Sequence, residues 1–278
     1  MSSPAPSPRE RFAALVRAPD HAIDLAEAAL LIAAEAYPDL DVARYTNALD
    51  DLADGARAPL ADAPTASDRA RALVQYLSVE RRFRGNQDNY YDKRNSFLNE
   101  VLDRRTGLPI TLAVVYMEVA RRLGLPVHGV GFPGHFLAKY AGETDIIIDP
   151  FFGQILSERD CAERLQAVLG PDAQFDRRLL RAAAPKEILV RMLRNLKQVH
   201  IEARELEPAL ADCERILLVE PDLVPELRDR GLLYRQLECW APALADLERF
   251  LALAPDDPTA DAVRDQLIDI RSQARLLH

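Results

Sequence analysis

Residues 106–126 read TGLPITLAVVYMEVARRLGLP, and residues 127–150 continue as VHGVGFPGHFLAKYAGETDIIIDP. The first stretch predicts a buried helix, because Pro109 suits a first helical turn and Gly124 is a typical C-terminal stop. The second stretch has β-branched and aromatic residues interrupted by glycine and proline, which is typical of short strands joined by turns. Together they predict an α+β domain in which an antiparallel sheet packs on the helix.

The segments around this core predict the rest of the organisation. Residues 1–8 are rich in serine and proline, so we expect a disordered tail. From Glu10 to about Asn99, apolar residues recur at helical spacing, and the front domain, residues 9–183, therefore begins with a helical part. Strand signals are missing from residues 184–278, which are predicted to be all α.

The C-terminal region contains an internal repeat. Three motifs recur at one constant offset: ALAD at 209–212 and 243–246, Glu214-Arg215 and Glu248-Arg249, and Pro221-Asp222 and Pro255-Asp256. The offset is that of a tetratricopeptide repeat, so we expect tetratricopeptide-like repeats followed by a capping helix. One interpretation is that these helices merely stabilise the protein. The other is that they form a peptide-binding groove. Because about three repeats are usually needed for independent stability, we expect them to pack against the front domain.

Charge and composition restrict the classes of partner. The formal net charge is −9, whereas binding to a phosphate backbone needs an excess of Lys and Arg, so we expect no nucleic acid partner. The sequence has no apolar run of membrane-spanning length, no cofactor motif and no clustered metal ligands, and its three cysteines stand far apart. We predict a cytoplasmic protein that uses no cofactor or metal and does not bind a membrane.

Three further motifs are specific enough to indicate a family: NSFLNEVLDRRTGLPITLA at 95–113, GFPGHFL at 131–137 and IDPF at 148–151. Together they closely resemble the SirB-type family of transglutaminase-like proteins, over residues 20–180. The resemblance implies a site in which a Cys opens a buried helix, a His follows on a strand, and an Asp on the next strand orients that His. In this sequence, these positions look like Pro109, His135 and Asp149.

A geometric argument supports His135 and Asp149 as a pair. If residues 141–143 form a three-residue hairpin loop, with Gly142 where such loops favour positive φ, then residue 135 lies opposite residue 149. An Asp that accepts a hydrogen bond from an imidazole fixes its tautomer and leaves the other nitrogen free, as in a nucleophile, base and orienter triad. The pair could also be a buried structural tether left from catalysis, or part of a ligand or partner pocket.

The sequence lacks an obvious nucleophile for such a triad. Proline at position 109 has no nucleophilic atom, and Cys161 lies downstream in a predicted helix, where we expect an unreactive thiol. The nearest hydroxyls belong to Thr106, which is more simply a helix cap, and to Thr111, a weak secondary alcohol. The missing nucleophile therefore favours a protein that is not an enzyme.

Polar residues that precede the helix form a candidate cleft. They could line a groove beside His135, or they could satisfy backbone groups within a long loop. Together with Pro109, the candidate cleft comprises Asn86, Asn89, Tyr90, Asn95 and Asn99.

The missing nucleophile favours a noncatalytic regulatory or protein-interaction protein, whose partner is a protein or peptide. The alternative is an amide hydrolase or acyl transferase with His135 as base, Asp149 as orienter, and water or Thr111 as nucleophile. A third interpretation is a scaffold of a larger complex, recognised through side chains near Tyr234 and Trp240. The sequence leaves the partner and the oligomeric state open.

Overall fold

The structure, a computed structural model, describes residues 5–276 and contains two units, Met1–Met192 and Leu193–His278. Half of the expected disordered tail, residues 1–4, lies outside the described residues. Pro8 is already the first residue of a helix, whose N-terminus is closed by a capping box between Ser7 and Glu10.

The first unit begins with helices, as the apolar spacing predicts. The helices are α1 (Pro8–Val16), α2 (Leu25–Ala36), α3 (Val42–Ala61) and α4 (Ala66–Val74), which continues into a π-helical turn, Gln75–Glu80. A short parallel pair, β1 (Arg84–Gly85) and β2 (Thr106–Gly107), brackets α5 (Leu98–Arg104). Thr106 therefore lies in a strand, and its predicted role as the cap of the following helix is wrong.

Helix α6 (Pro109–Arg122) is the core of this unit. Eleven of its 14 residues are buried, and a helix that is apolar around most of its circumference must be covered on several sides. It contacts α2, α3 and α5 as well as the first two strands of the main sheet. Its first turn is capped by Thr111, whose Oγ1 accepts a hydrogen bond from the Leu108 N–H at 3.0 Å.

The main sheet is an antiparallel meander of four strands in sequential order. The strands are β3 (Val127–Val130), β4 (Leu137–Tyr140), β5 (Ile146–Asp149) and β6 (Gln154–Leu156). Tyr140 pairs with Ile146 and Ala138 with Ile148, so five residues connect β4 to β5. The predicted three-residue loop, and with it the direct opposition of residues 135 and 149, is wrong.

Two helices follow the sheet: α7 (Glu158–Leu169) and α8 (Pro185–Glu202). An apolar cluster that includes Phe132, Leu137 and Leu165 holds α7 against the sheet. The boundary between the two units falls within α8.

The second unit is all α in its described residues. After the end of α8 come α9 (Leu206–Val219), α10 (Val224–Gln236), α11 (Trp240–Leu253) and α12 (Ala260–Leu276). The predicted fold class, an α+β domain whose antiparallel sheet packs on a helix and an all-α repeat region, is confirmed. Among the described helices, none combines the length and apolarity that a membrane span requires.

Close contact between α10 and α11 depends on a glycine. A Cβ added to Gly231 would lie 2.7 Å from the Cδ2 atom of Leu247, which is fully buried. Leu247 packs with Leu227, Phe250 and Val263 in the core of this unit. The absence of a side chain at position 231 therefore lets the two helices approach.

We expect Gly231→Ala to destabilise the repeat unit. Alanine alone would favour the helix by about 1 kcal/mol, but overpacking a tight core typically costs about 1–3 kcal/mol. Urea unfolding followed by the fluorescence of Trp240, the only tryptophan of the chain, reports on this unit directly.

The matched control is the same substitution in a Leu247→Ala background, where the added methyl group has room. There we expect Gly231→Ala to be neutral or stabilising. Equal effects in the two backgrounds would show that the contact between positions 231 and 247 does not limit the helix packing.

Candidate functional site

His135 lies in the turn between β3 and β4. The turn is closed by a hydrogen bond from the His135 N–H to the Phe132 carbonyl oxygen at 3.1 Å, and Gly134 adopts a φ of 66° within it. A Cβ at position 134 would contact Val168, so only glycine fits here. The turn residues thus position the imidazole just before the sheet pairing begins.

The imidazole of His135 contacts the carboxylate of Asp149, the last residue of β5. Its Nε2 atom lies 3.1 Å from both Asp149 oxygens. Because an ionised carboxylate can only accept, Nε2 is the donor in this contact. The Asp149 side chain is fully buried, whereas that of His135 is 14% exposed.

The observed register explains how this contact forms without direct opposition. Continuing the β4–β5 ladder would place Asp149 opposite Leu137, two residues after His135. Long side chains reach such diagonal neighbours across a sheet. The contact between His135 and Asp149 is therefore present, although the geometric argument behind its prediction is wrong.

Asp149 has three further partners. Arg164 of α7 forms an ion pair with its Oδ2 atom at 2.7 Å. The backbone N–H groups of Phe151 and Phe152 donate to its Oδ1 atom at 2.9 and 3.3 Å. A carboxylate is strongly penalised by burial unless it is paired and hydrogen-bonded, and these partners meet both requirements.

Aromatic rings extend from His135 to the surface. The imidazole stacks on Phe152, with ring centres 6.3 Å apart, and meets Phe151 edge to face at 6.0 Å. The ring centre of Phe151 lies 6.1 Å from that of Tyr90, and the ring centre of Tyr90 lies 5.5 Å from that of Tyr91. We call His135, Tyr90, Tyr91, Phe151 and Phe152 the aromatic face.

The position that corresponds to the superfamily nucleophile and the side chains of Thr111 and Cys161 are all buried. Pro109 is buried at the start of α6. Thr111 is fully buried, and its hydroxyl donates to the Asn95 carbonyl oxygen at 2.7 Å while it caps the helix. Cys161 is fully buried in α7, and burial raises the pKa of its thiol to about 11. At neutral pH this thiol therefore stays protonated and is a poor nucleophile.

The Asn-rich segment is held together by its own amides. The Asn86 Nδ2 atom donates to the Asn95 Oδ1 atom at 3.0 Å, and the Asn95 Nδ2 atom donates to the carbonyls of Asn89 and Tyr90. These bonds fix an irregular loop between β1 and α5. Of the candidate cleft residues, Tyr90 is the one that joins the aromatic face.

Asn99 lies at a different place in the fold. With Tyr37, Tyr45 and neighbouring residues, it lines a separate pocket of about 340 Å³ on the helical part. Apart from Pro109, the candidate cleft residues are therefore divided among an internal amide network, a ring that contacts Phe151, and the wall of a pocket on the helical part.

Sequence reasoning missed two arginines of the site. Arg164 pairs with Asp149, and Arg191 of α8 donates to the carbonyl oxygen of His135 at 2.6 Å. Neither position stands near the motif residues in sequence, so no local pattern could have indicated it. The hydrogen bonds from the Phe151 and Phe152 N–H groups to Asp149 could have been predicted, because an Asp followed by a proline often begins an Asx turn, in which the Asp side chain accepts from the backbone two residues on.

The repeat unit has its own groove, of about 490 Å³, beside the C-terminal end of α8. It combines apolar side chains with one acidic and one basic residue. The lining residues are Ile201, Arg204, Leu206, Asp229, Leu232, Leu233 and Gln236. Within the described part of the chain, no three His, Cys, Asp or Glu side chains form a group that could hold a metal ion.

Comparison with known proteins places this geometry in context. The model of the transglutaminase-like superfamily matches residues 43–194, and a tetratricopeptide repeat model matches residues 196–268. A UPF0162 protein of Xylella fastidiosa strain Temecula1 is 40% identical over 264 residues, which are 93% of this chain and 94% of that protein. A UPF0162 protein of Pseudomonas aeruginosa is 42% identical over 215 residues, 77% and 79% of the two chains. Protein SirB1 of Salmonella typhimurium is 30% identical over 184 residues, 66% and 68% of the two chains.

We expect Asp149→Asn to loosen the sheet around His135. The amide can still accept from the backbone, but Arg164 loses its counter-charge, and breaking a buried ion pair typically costs about 3–5 kcal/mol. Hydrogen-exchange mass spectrometry of peptides from residues 127–156 measures the loss, and we expect exchange to accelerate by about 100-fold or more, at a factor of ten per 1.4 kcal/mol.

Asp103→Asn is the matched control. Asp103 also pairs with an arginine, Arg44, and accepts a hydrogen bond from Tyr45, but its side chain is 52% exposed. Exposed pairs contribute at most about 1 kcal/mol, so exchange in residues 127–156 should stay unchanged. Unchanged exchange in Asp149→Asn as well would show that the buried carboxylate does not hold this region together.

Proposed function

The chain belongs to the SirB-type family of the transglutaminase-like superfamily, and we propose that it is a noncatalytic regulatory protein that binds other proteins. In this proposal the aromatic face of the first unit and the groove of the repeat unit each recognise part of a protein partner. The cytoplasm is the compartment that we propose for it.

One observation carries the noncatalytic part of the proposal: His135 has an orienting carboxylate but no partner to activate. A triad needs a nucleophile within hydrogen-bond reach of the base. Among the described residues, no hydroxyl or thiol bonds to His135, and the hydroxyl of Thr111 is occupied by backbone carbonyl and N–H groups. What remains of the site can hold a ligand without cleaving it.

The contacts of Asp149 give a reason for the His135–Asp149 pair that does not require catalysis. Asp149 joins α7, β5, the turn after it and the turn before β4. Losing this carboxylate would leave the partly buried guanidinium of Arg164 and two backbone N–H groups without their acceptor. The pair therefore has a structural role in a protein that performs no chemistry.

The repeat unit supports the binding part of the proposal. Tetratricopeptide repeats stack helices into surfaces that bind other proteins. The groove beside the C-terminal end of α8 offers both the apolar area and the charged groups that such recognition uses.

The alternative, an amide hydrolase or acyl transferase, has one supporting feature. The Nδ1 atom of His135 has no hydrogen-bond partner among the described residues, and the side chain is partly exposed. A water molecule bound there could be activated directly, with Asp149 as orienter. Thr111 could serve this reaction only if its capping bonds were broken.

One experiment with the full-length protein separates the two functions. A peptide digest of a bacterial proteome is incubated with the immobilised protein, and mass spectrometry quantifies retained peptides and new cleavage products. We expect a subset of peptides to be retained intact. Ile201→Glu should reduce retention at the repeat groove by about tenfold or more, because a charge would replace apolar contact area.

Leu253→Glu is the matched control, since Leu253 is exposed to a similar extent as Ile201 but does not line the groove. A catalytic role for His135 would instead produce cleaved or acyl-transferred peptides whose formation falls about 100-fold or more in His135→Ala. Such products would overturn the noncatalytic proposal. Equal retention by the wild type and Ile201→Glu would overturn the binding role of the groove.

A further inference from the structure

Arg191 brings a positive charge to the turn that carries His135. Its Nη2 atom donates to the carbonyl oxygens of His135 at 2.6 Å and Phe132 at 3.3 Å, and its guanidinium lies over the ring of Phe136 at 5.3 Å. All of these acceptors are neutral. Within residues 5–276, no carboxylate forms an ion pair with Arg191.

This charge is held under unfavourable conditions. Partial burial lowers the pKa of Arg191, because the surroundings disfavour its charged form. Arg164, the other arginine of the site, is compensated by Asp149. Two guanidinium groups and one carboxylate leave one net positive charge around the turn of His135, so an incoming anion would gain a charge-assisted hydrogen bond.

The aromatic face borders this charge and is open to solvent. Tyr90 is 43%, Tyr91 66% and Phe152 49% exposed. Tyr90 and Tyr91 contact each other, and the buried ring of Phe151 lies between Tyr90 and Phe152 and contacts both. Burial raises the pKa of Tyr90, and Arg191 opposes this effect, so the two groups lie within electrostatic reach. Aromatic rings next to arginine are the side chains that most often dominate protein recognition.

We propose that Arg191 and the aromatic face bind an internal acidic segment of a partner protein, in which an Asp or Glu side chain stands next to an aromatic residue. The carboxylate contacts Arg191, and the aromatic residue packs on Tyr90 and Phe152. This assignment rests on the proposed function, because it names the ligand chemistry of the same noncatalytic site.

Two features favour a side-chain carboxylate of an internal segment. A C-terminal carboxylate is usually captured by a concave set of backbone N–H groups, whereas the backbone groups against Arg191 are the carbonyls of Phe132 and His135. The net charge of −9 is no obstacle, because charges farther away than about 8 Å are largely screened at physiological ionic strength. The positive charge of Arg191, and not the net charge of the chain, therefore determines that the site prefers an acidic ligand.

The test uses fluorescently labelled, terminally capped peptides in a Gly-Ser background. Each carries one Asp or Glu beside one Phe or Tyr, and each has a twin with Asn or Gln. Fluorescence anisotropy with the full-length protein measures the affinity. We expect acidic peptides to bind at least about tenfold more tightly than their amide twins, since a charge-assisted hydrogen bond contributes about 1.5 kcal/mol or more.

Arg191→Gln should reduce this preference to less than about twofold, and Arg191→Lys, which keeps the charge, should retain part of it. Arg105→Gln is the matched control: Arg105 also lies over a ring, that of Phe83, and burial lowers its pKa, but it stands elsewhere in the unit. The preference should be unchanged in this variant. Tyr90→Ala should weaken both members of each pair equally, which is also informative if Arg191→Gln does not fold.

Two results would overturn the inference. In the first, no acidic peptide binds the wild-type protein more tightly than its amide twin does. In the second, folded Arg191→Gln still binds acidic peptides more tightly than their twins. Mass spectrometry of the same samples keeps the two proposals apart. Peptides that are cleaved in a His135-dependent way would contradict the noncatalytic function, whereas intact peptides without a carboxylate preference would contradict only the assignment of Arg191.

Discussion

The buried carboxylate of Asp149 is the interaction on which the first unit depends. Placing an ionised group at a fully buried position is unfavourable unless every lone pair finds a donor. Here the donors come from separate parts of the chain: the imidazole of His135, the guanidinium of Arg164, and the backbone N–H groups of Phe151 and Phe152. The requirement to satisfy one carboxylate thus fixes the positions of a turn, a helix and the chain beyond β5.

This requirement also shapes the surface. Because the backbone after Asp149 turns to donate two hydrogen bonds, the rings of Phe151 and Phe152 flank the imidazole of His135. The contacts of Asp149 therefore give the pair of His135 and Asp149 a structural role of its own. The same geometry leaves exposed rings and, among the described residues, an arginine without a carboxylate partner, which are features common at recognition surfaces.

Much of the fold could be predicted from the sequence. Pro109 and Gly124 mark the ends of α6 closely, and the 34-residue offset of the ALAD motifs indicates the helical repeats, because both signals arise from local backbone preferences. The register between β4 and β5 could not be predicted, since Gly142 indicates a turn without fixing its length. The roles of Arg164 and Arg191 were also hidden, because tertiary packing alone brings α7 and α8 to the turn of His135.

The tautomer of His135 tests the central role of Asp149 most directly. Long-range proton–nitrogen NMR spectra of the full-length protein at neutral pH distinguish a protonated Nε2 atom from a protonated Nδ1 atom. If Asp149 orients the ring as the 3.1 Å contacts indicate, Nε2 carries the proton and Nδ1 has an unshared pair. A proton on Nδ1 with a bare Nε2 atom would contradict the account, because two acceptors would then face each other inside the site.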